Sequence, residues 1–231
     1  MKSTELVKLI EANEKQQPFN ASEFYEKIDS VCSEFSFYKA LERLVKSQSL
    51  IKVSKGVYCL PIHTDFGVVK PSDKQIIGKY ISENRGMKVG YQLYNELNLS
   101  TQISKKYVIY SNALSGFTKN IRNINIKKVN LSFTDEIKNQ IAMLEVLSNF
   151  ERIQDLNLNV FRSYSENFAR NFNEKDFEEV INNIKYKKST ISFLKEILDY
   201  FNTSNDLGKY LSPLSTYKHP KTEDIYESSF R

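Results

Sequence analysis

The spacing of apolar residues divides the first sixty positions into helices and a hairpin. Between Ser36 and Ser47, the side chains of Phe37, Leu41 and Leu44 recur at the spacing of one helix face, behind two shorter helical segments. Two short strand-like runs follow, LIKV and VYCL, separated by a turn that contains Gly56. Glycine can take the positive φ that such a turn often needs. Three helices and a hairpin in this order predict a winged helix-turn-helix.

Beyond residue 66 the chain mixes helix and strand patterns. PSDKQIIGKYISEN predicts a helix capped by its serine, and the segment from Gly86 to Ser100 is interpreted as a further short helix. KYVIYSN has strand composition, and alternation over Ile121 to Phe133 predicts another strand. Helical spacing resumes at about Asp135. We therefore predict an α+β protein, with a winged helix-turn-helix domain at residues 1–62 and a larger, helix-rich mixed domain at residues 66–231.

Composition narrows the class of protein. The 231 residues are 40% apolar and 26% charged, which is typical of a globular chain. The uncharged stretches are far shorter than the roughly 20 apolar residues of a membrane helix, so no membrane partner is expected. The first residues include Glu5 and Glu11 within the apolar pattern and no cleavage site of a signal peptide. With only two cysteines in addition, we predict a cytoplasmic protein.

Positive charge is concentrated in two regions. Residues 1–62, 63–130 and 131–231 have net charges of +1, +7 and −3, which sum to the +5 of the chain. Within the first block, Ser36 to Ile62 has five basic residues and one acidic residue, a local +4. Such regions attract a polyanion or an acidic partner. The alternative at this point is an ordinary lysine-rich, solvated surface.

Double-stranded DNA is the partner that the N-terminal pattern favours. The helix that begins near Ser36 has a polar face opposite its apolar face, and a helix of this kind fits the major groove while the hairpin lies along the backbone. The candidate DNA-binding residues of this region are Ser36, Lys39, Arg43, Lys46, Lys52, Lys55 and Gly56. The alternative is a winged helix that makes only protein contacts.

Motifs of catalysis and of cofactor binding are missing from the sequence. The two histidines, His63 and His219, stand apart from any metal-binding spacing, and no HExxH, GxSxG, P-loop or GxGxxG motif occurs. Adjacent carboxylates such as Glu178 and Glu179 are interpreted as solvated. We therefore expect no enzymatic activity, no catalytic residues, no metal and no cofactor.

Four segments resemble one known family. The segments KGVYCLP, FGVVKPSDKQIIGKYI, GYQLYNELNLSTQISKKYVIYSN and IKKVNLSF occur in an order similar to that of the AbiEi-type antitoxins of type IV, abortive-infection toxin-antitoxin systems and a related uncharacterised winged-helix family. The resemblance covers about Thr4 to Phe133. The family pattern has a glycine where this chain has Asn98.

The resemblance implies a function. Members bind inverted repeats in their own promoter, repress an operon that also encodes a nucleotidyltransferase-like toxin, and counteract that toxin in phage defence, without necessarily forming a stable complex with it. The larger C-terminal domain is implicated in antitoxicity and assists DNA binding. Lys119, Arg122, Lys127 and Lys128 are the candidates for a second DNA-binding surface, the alternatives being a mimic of the toxin's target or solvated charge.

A second class of function stays open. The chain would then be a winged-helix transcriptional regulator whose C-terminal domain senses a ligand or partner unrelated to a toxin. A nucleotidyltransferase gene immediately downstream would support the antitoxin, and an isolated gene or a metabolic operon would support the regulator.

Overall fold

The protein has an α+β fold made of two compact units. A computed structural model describes residues 3–13 and 17–227, and the chain divides after Ser82 into an N-terminal and a C-terminal unit. This division differs from the predicted one at residues 62–66. A second hairpin and a further helix group with the N-terminal unit, and Lys79 of that helix forms an ion pair with Glu23 of the same unit, with Nζ and Oε2 3.2 Å apart.

The N-terminal unit combines four helices with short antiparallel strands. The elements are α1 (Ser3–Asn13), β1 (Phe19–Asn20), α2 (Ala21–Glu26), α3 (Glu34–Lys46), β2 (Ile51–Ser54), β3 (Val57–Cys59), β4 (Ile62–Thr64), β5 (Gly67–Val69) and α4 (Asp73–Ile81). The first sheet has the strand order β1-β3-β2, and the second is the hairpin of β4 and β5.

Aromatic and aliphatic side chains form the core of this unit. Phe24 and Phe37 are fully buried and their rings stack with centroids 6.2 Å apart, which joins α2 to α3. Leu6 of α1 and Leu41 of α3 are also fully buried in the same cluster. The predicted amphipathic helix and hairpin are thus present, whereas the use of this arrangement as a DNA-binding winged helix stays a prediction.

The C-terminal unit contains a four-stranded sheet and most of the helices. The elements are β6 (Gly86–Val89), α5 (Tyr91–Glu96), β7 (Tyr107–Ser111), β8 (Thr118–Ile121), β9 (Ile124–Lys128), α6 (Asp135–Asn149), α7 (Leu158–Arg170), α8 (Glu174–Asn183), α9 (Lys188–Tyr200) and α10 (Thr222–Tyr226), with 3-10 turns at Phe150–Arg152 and Leu207–Tyr210. Residues of α6, α7, α8 and α9 contribute to its large apolar core.

Two predictions for this sheet were wrong in detail. Gly86–Val89 is a strand that pairs antiparallel with β7, and only the segment after Gly90 is helical. Residues 121–133, predicted as one strand, instead contain the end of β8, a turn and all of β9. Arg122 adopts a φ of +54° in that turn, where the chain reverses between the two antiparallel strands. The strand order is β6-β7-β9-β8, in which β7 and β9 are parallel.

Asn98 adopts the left-handed backbone conformation at the end of α5. Its φ is +56°, which is the left-handed conformation that glycine adopts freely and that asparagine tolerates. The amide of Leu99 then donates to the carbonyl of Tyr94 at 2.8 Å and closes the end of α5. Across residues 3–13 and 17–227, no helix is long and apolar enough to cross a membrane.

Candidate nucleic-acid interface

Helix α3 owes its position to its cap and its apolar face. The hydroxyl of Ser33 accepts a hydrogen bond from the amide of Ser36 at 3.4 Å, which satisfies one of the free amides of the first turn. Phe37, Leu41 and Leu44 point into the core of the N-terminal unit. Because these positions occupy one side of the helix, the opposite side is left to solvent.

The solvent side of α3 is basic but includes one acid. Lys39, Arg43 and Lys46 are exposed and Ser36 is half-buried. Lys39 Nζ lies 3.0 Å from Glu42 Oε2, and both side chains remain more than half exposed. The hydrogen bond from Lys39 is the largest of the effects that lower the pKa of Glu42. We call the set of Ser36, Lys39, Glu42, Arg43 and Lys46 the α3 basic face.

The first hairpin adds positive charge close to the α3 basic face. Lys52 on β2 and Lys55 in the turn are exposed. The charges of Lys46 and Lys52 also contribute to the lowered pKa of Glu42, so both ammonium groups lie within electrostatic reach of that carboxylate. Lys39, Lys46 and Lys52 therefore all act electrostatically on one acidic side chain.

Gly56 gives the hairpin its turn. Its φ is +72°, a conformation that L side chains rarely adopt, and its carbonyl accepts a hydrogen bond from the amide of Ala21 at 2.9 Å. That bond attaches the turn to the start of α2. Gly56 thus allows the backbone conformation of the turn. Because glycine has no side chain, its predicted contact with DNA would involve backbone atoms alone.

Phe35 is a residue of this surface that sequence reasoning missed. Its side chain is 74% exposed in the first turn of α3, and the Lys39 ammonium lies 5.9 Å from the centroid of its ring. Phe35 does not fit the apolar spacing set by Phe37 and Leu41, which was the available signal. An exposed aromatic ring beside a cation offers a flat surface for a base or a sugar, or for a protein partner.

The basic residues predicted for a second surface do not share one face of the sheet. Thr118 pairs with Lys127, and Lys119 pairs with Ile126, so the side chains of Lys119 and Lys127 point to opposite faces. By alternation along β9, Lys128 lies on the side of Lys119, and Arg122 is in the turn. The predicted cluster of four is therefore divided within the C-terminal unit.

The sequence of this chain matches one protein-family model. The sequence model of DUF6088, described as a family of unknown function, matches residues 10–157, which is well over half of the chain. The protein belongs to the DUF6088 family. The DUF6088 match includes all eleven predicted DNA-binding residues, and α7 to α10 lie beyond it.

Solved structures and curated proteins add little to the DUF6088 assignment. The chain is similar to the RV2827C protein from Mycobacterium tuberculosis, at 8% identity and a TM-score of 0.44, over 85% of this chain and 76% of that chain. A likeness of this degree supports no argument about function. No curated protein matches the sequence.

Proposed function

We propose that this protein is a cytoplasmic DNA-binding autorepressor that also acts as a type IV antitoxin against a nucleotidyltransferase-like toxin. The observation that supports DNA binding is the α3 basic face, whose charged side chains are exposed and which lies within electrostatic reach of Lys52 on the first hairpin. The operon, the inverted repeats and the toxin come from the resemblance of the sequence to AbiEi-type antitoxins.

The α3 basic face suits the major groove in size and chemistry. The groove is about 12 Å wide and admits one helix. Arg43 offers the planar pair of N–H donors that guanine accepts, whereas Lys39 and Lys46 suit phosphate oxygens. Arg43 Nε donates to the carbonyl of Lys39 at 3.3 Å within the free helix, so its guanidinium also has an intramolecular bond to exchange on binding.

Glu42 would weaken contacts with phosphates but could recognise a base. Its carboxylate lies among Lys39, Lys46 and Lys52 and would repel a phosphate at that point. The same carboxylate can accept a hydrogen bond from the amino group of cytosine. Glu42 is therefore a specificity residue in this proposal, and the lysines around it provide most of the affinity.

The proposal is tested by separating repression from antitoxicity. The double variant Lys39→Ala with Arg43→Ala removes two exposed groups and leaves the buried residues of α3 unchanged, so the fold should persist. A reporter under the protein's own promoter should be derepressed, since each lost base contact costs about 1–3 kcal/mol. The same variant expressed from an unrelated promoter should still protect cells from the toxin.

A matched control removes two positive charges elsewhere in the N-terminal unit. Lys8 on α1 and Lys74 on α4 are exposed, and their double alanine variant should repress the reporter normally. Repression that survives in the Lys39/Arg43 variant would contradict DNA binding by the α3 basic face. A chain that represses its promoter but never protects from the toxin would be the regulator of the alternative hypothesis.

A further inference from the structure

The C-terminal unit contains a pocket that the proposed function does not use. It has a volume of about 220 Å³ and opens between the end of β6, α5, the strands β7 and β9, and the end of α6. A closed apolar cavity of about 150 Å³ holds benzene, so this pocket suits a molecule of roughly ten non-hydrogen atoms. Its lining includes Tyr110, Lys127, Glu145 and Arg152.

Glu145 is a buried acid with one oxygen still available. It lies within α6 and is only 9% exposed. Its Oε1 accepts hydrogen bonds from the hydroxyls of Tyr110 at 2.9 Å and Tyr186 at 3.1 Å. Among residues 3–13 and 17–227, these two hydroxyls are the side-chain donors to its carboxylate. Oε2 is not one of the buried atoms that lack a partner, so it is accessible from the pocket and can accept a hydrogen bond from a ligand.

Two cations line the same pocket without an acidic partner. Lys127 Nζ lies 5.8 Å from the centroid of the Tyr110 ring, and Arg152 is exposed at the end of the 3-10 turn that follows α6. Of the carboxylates that the structure describes, none lies within salt-bridge distance of either side chain. The lining therefore has one acidic group and two basic groups, with no ion pair among them, although the charge of Lys127 partly offsets the effect of burial on the pKa of Glu145.

The walls between these charges are apolar and fixed. Val89, Val108 and Ile153 contribute aliphatic surface. The Tyr94 hydroxyl donates to the backbone carbonyl of Glu145 at 3.3 Å, and the Tyr91 hydroxyl donates to the carbonyl of Arg152 at 3.4 Å. These bonds attach α5 to the end of α6, so the pocket exists before a ligand enters.

We propose that this pocket binds a free α-amino acid. The ammonium group donates to Oε2 of Glu145, the carboxylate faces Lys127 and Arg152, and the side chain lies on the aliphatic wall. A ligand with only a cationic group would gain from Glu145 alone, and a ligand with only an anionic group would gain from the two basic side chains alone. A zwitterion of this size interacts with the acidic group and with the basic groups at the same time. Its binding does not depend on DNA binding by the N-terminal unit.

The test is a titration of the full-length protein with the twenty amino acids. Thermal unfolding in the presence of each at millimolar concentration identifies those that stabilise the fold, and calorimetry gives the dissociation constant of the best one. We expect at least one amino acid to raise the melting temperature saturably. Its decarboxylated amine and its deaminated acid should each bind at least tenfold more weakly.

Variants connect the binding to the pocket. Glu145→Gln and Lys127→Met should each weaken binding of the best amino acid at least tenfold. Lys175→Met removes an exposed lysine on α8, outside the pocket lining, and should bind as the wild type does. Lys127 is exposed, so its variant gives an answer even if Glu145→Gln fails to fold.

Three results would overturn the proposal. These are the absence of any stabilising amino acid, equal binding of the decarboxylated amine, and unchanged binding by a folded Lys127→Met variant. Equal binding of the amine would identify a simple cation site at Glu145 instead.

Discussion

Replacement of Glu145 offers a measurable test of the polar network inside the C-terminal unit. Glu145→Leu removes the acceptor of the Tyr110 hydroxyl, whose side chain is buried, and of the Tyr186 hydroxyl, whose side chain is half-buried against the core. Each buried hydroxyl left without a partner costs about 1–3 kcal/mol. The two together give a loss of about 2–6 kcal/mol, reduced by the relief of no longer burying a carboxylate.

Glu145→Gln is the matched control for this prediction. Its side-chain carbonyl can accept both phenol hydrogen bonds, and it brings no charge into the interior. We expect the free energy of unfolding of this variant to be at least that of the wild type at pH 7, and well above that of Glu145→Leu. Urea unfolding followed by circular dichroism measures all three proteins. A Leu variant within 1 kcal/mol of the Gln variant would refute the energetic role of the network.

The pH dependence of the same pair has a definite sign. Burial raises the pKa of the Glu145 carboxyl above its ordinary value of 4.5. The folded state therefore holds the proton more tightly, and this stabilisation is complete below the unfolded pKa and is lost as pH rises through the folded pKa. Relative to Glu145→Gln, the wild type should lose stability as pH rises from about 4 toward neutrality. The opposite slope would mean that the ionised carboxylate is the stabilised form.

Two further changes test the N-terminal unit. Phe37→Ala should lower the free energy of unfolding by about 3–5 kcal/mol, because Phe37 is fully buried. Phe35→Ala should change it by no more than about 0.5 kcal/mol, because that ring is 74% exposed. Urea unfolding measures both variants. Gly56→Ala should lower the free energy of unfolding by about 1–2 kcal/mol, because an alanine is strained at a φ of +72°. Its methyl group would meet no atom within 4 Å, so no steric clash contributes. Thermal or urea unfolding measures the loss.

Local patterns predicted the N-terminal elements well because their signals are contiguous. The apolar spacing of Phe37, Leu41 and Leu44 determines which face of α3 is exposed, and Gly56 marks the turn of the hairpin. Strand β6 was missed because four residues before a glycine are too few for a clear alternation. The turn at Arg122 was missed because an arginine gives no sequence signal of a positive φ.

The pocket around Glu145 was beyond the reach of sequence patterns. Glu145 stands in the run IAMLEVL of α6, where a single acid usually marks the solvent side of a helix. Its phenol partners come from β7 and from the segment before α9, 35 and 41 residues away along the chain. Only the folded chain brings these three side chains together.

The salt dependence of DNA binding tests the role of the α3 basic face most directly. Fluorescence anisotropy with a duplex of the protein's own promoter measures the affinity at several salt concentrations. If Lys39, Lys46, Lys52 and Lys55 each neutralise a phosphate and Arg43 contacts a base, the slope of log affinity against log salt is about −3.5 to −4, and Lys39→Ala with Arg43→Ala flattens it by about 1 while also lowering the affinity at every salt concentration. The Lys8/Lys74 control should retain the wild-type slope. An unchanged slope in the Lys39/Arg43 variant, or wild-type affinity that does not vary with salt, would contradict DNA binding by this face.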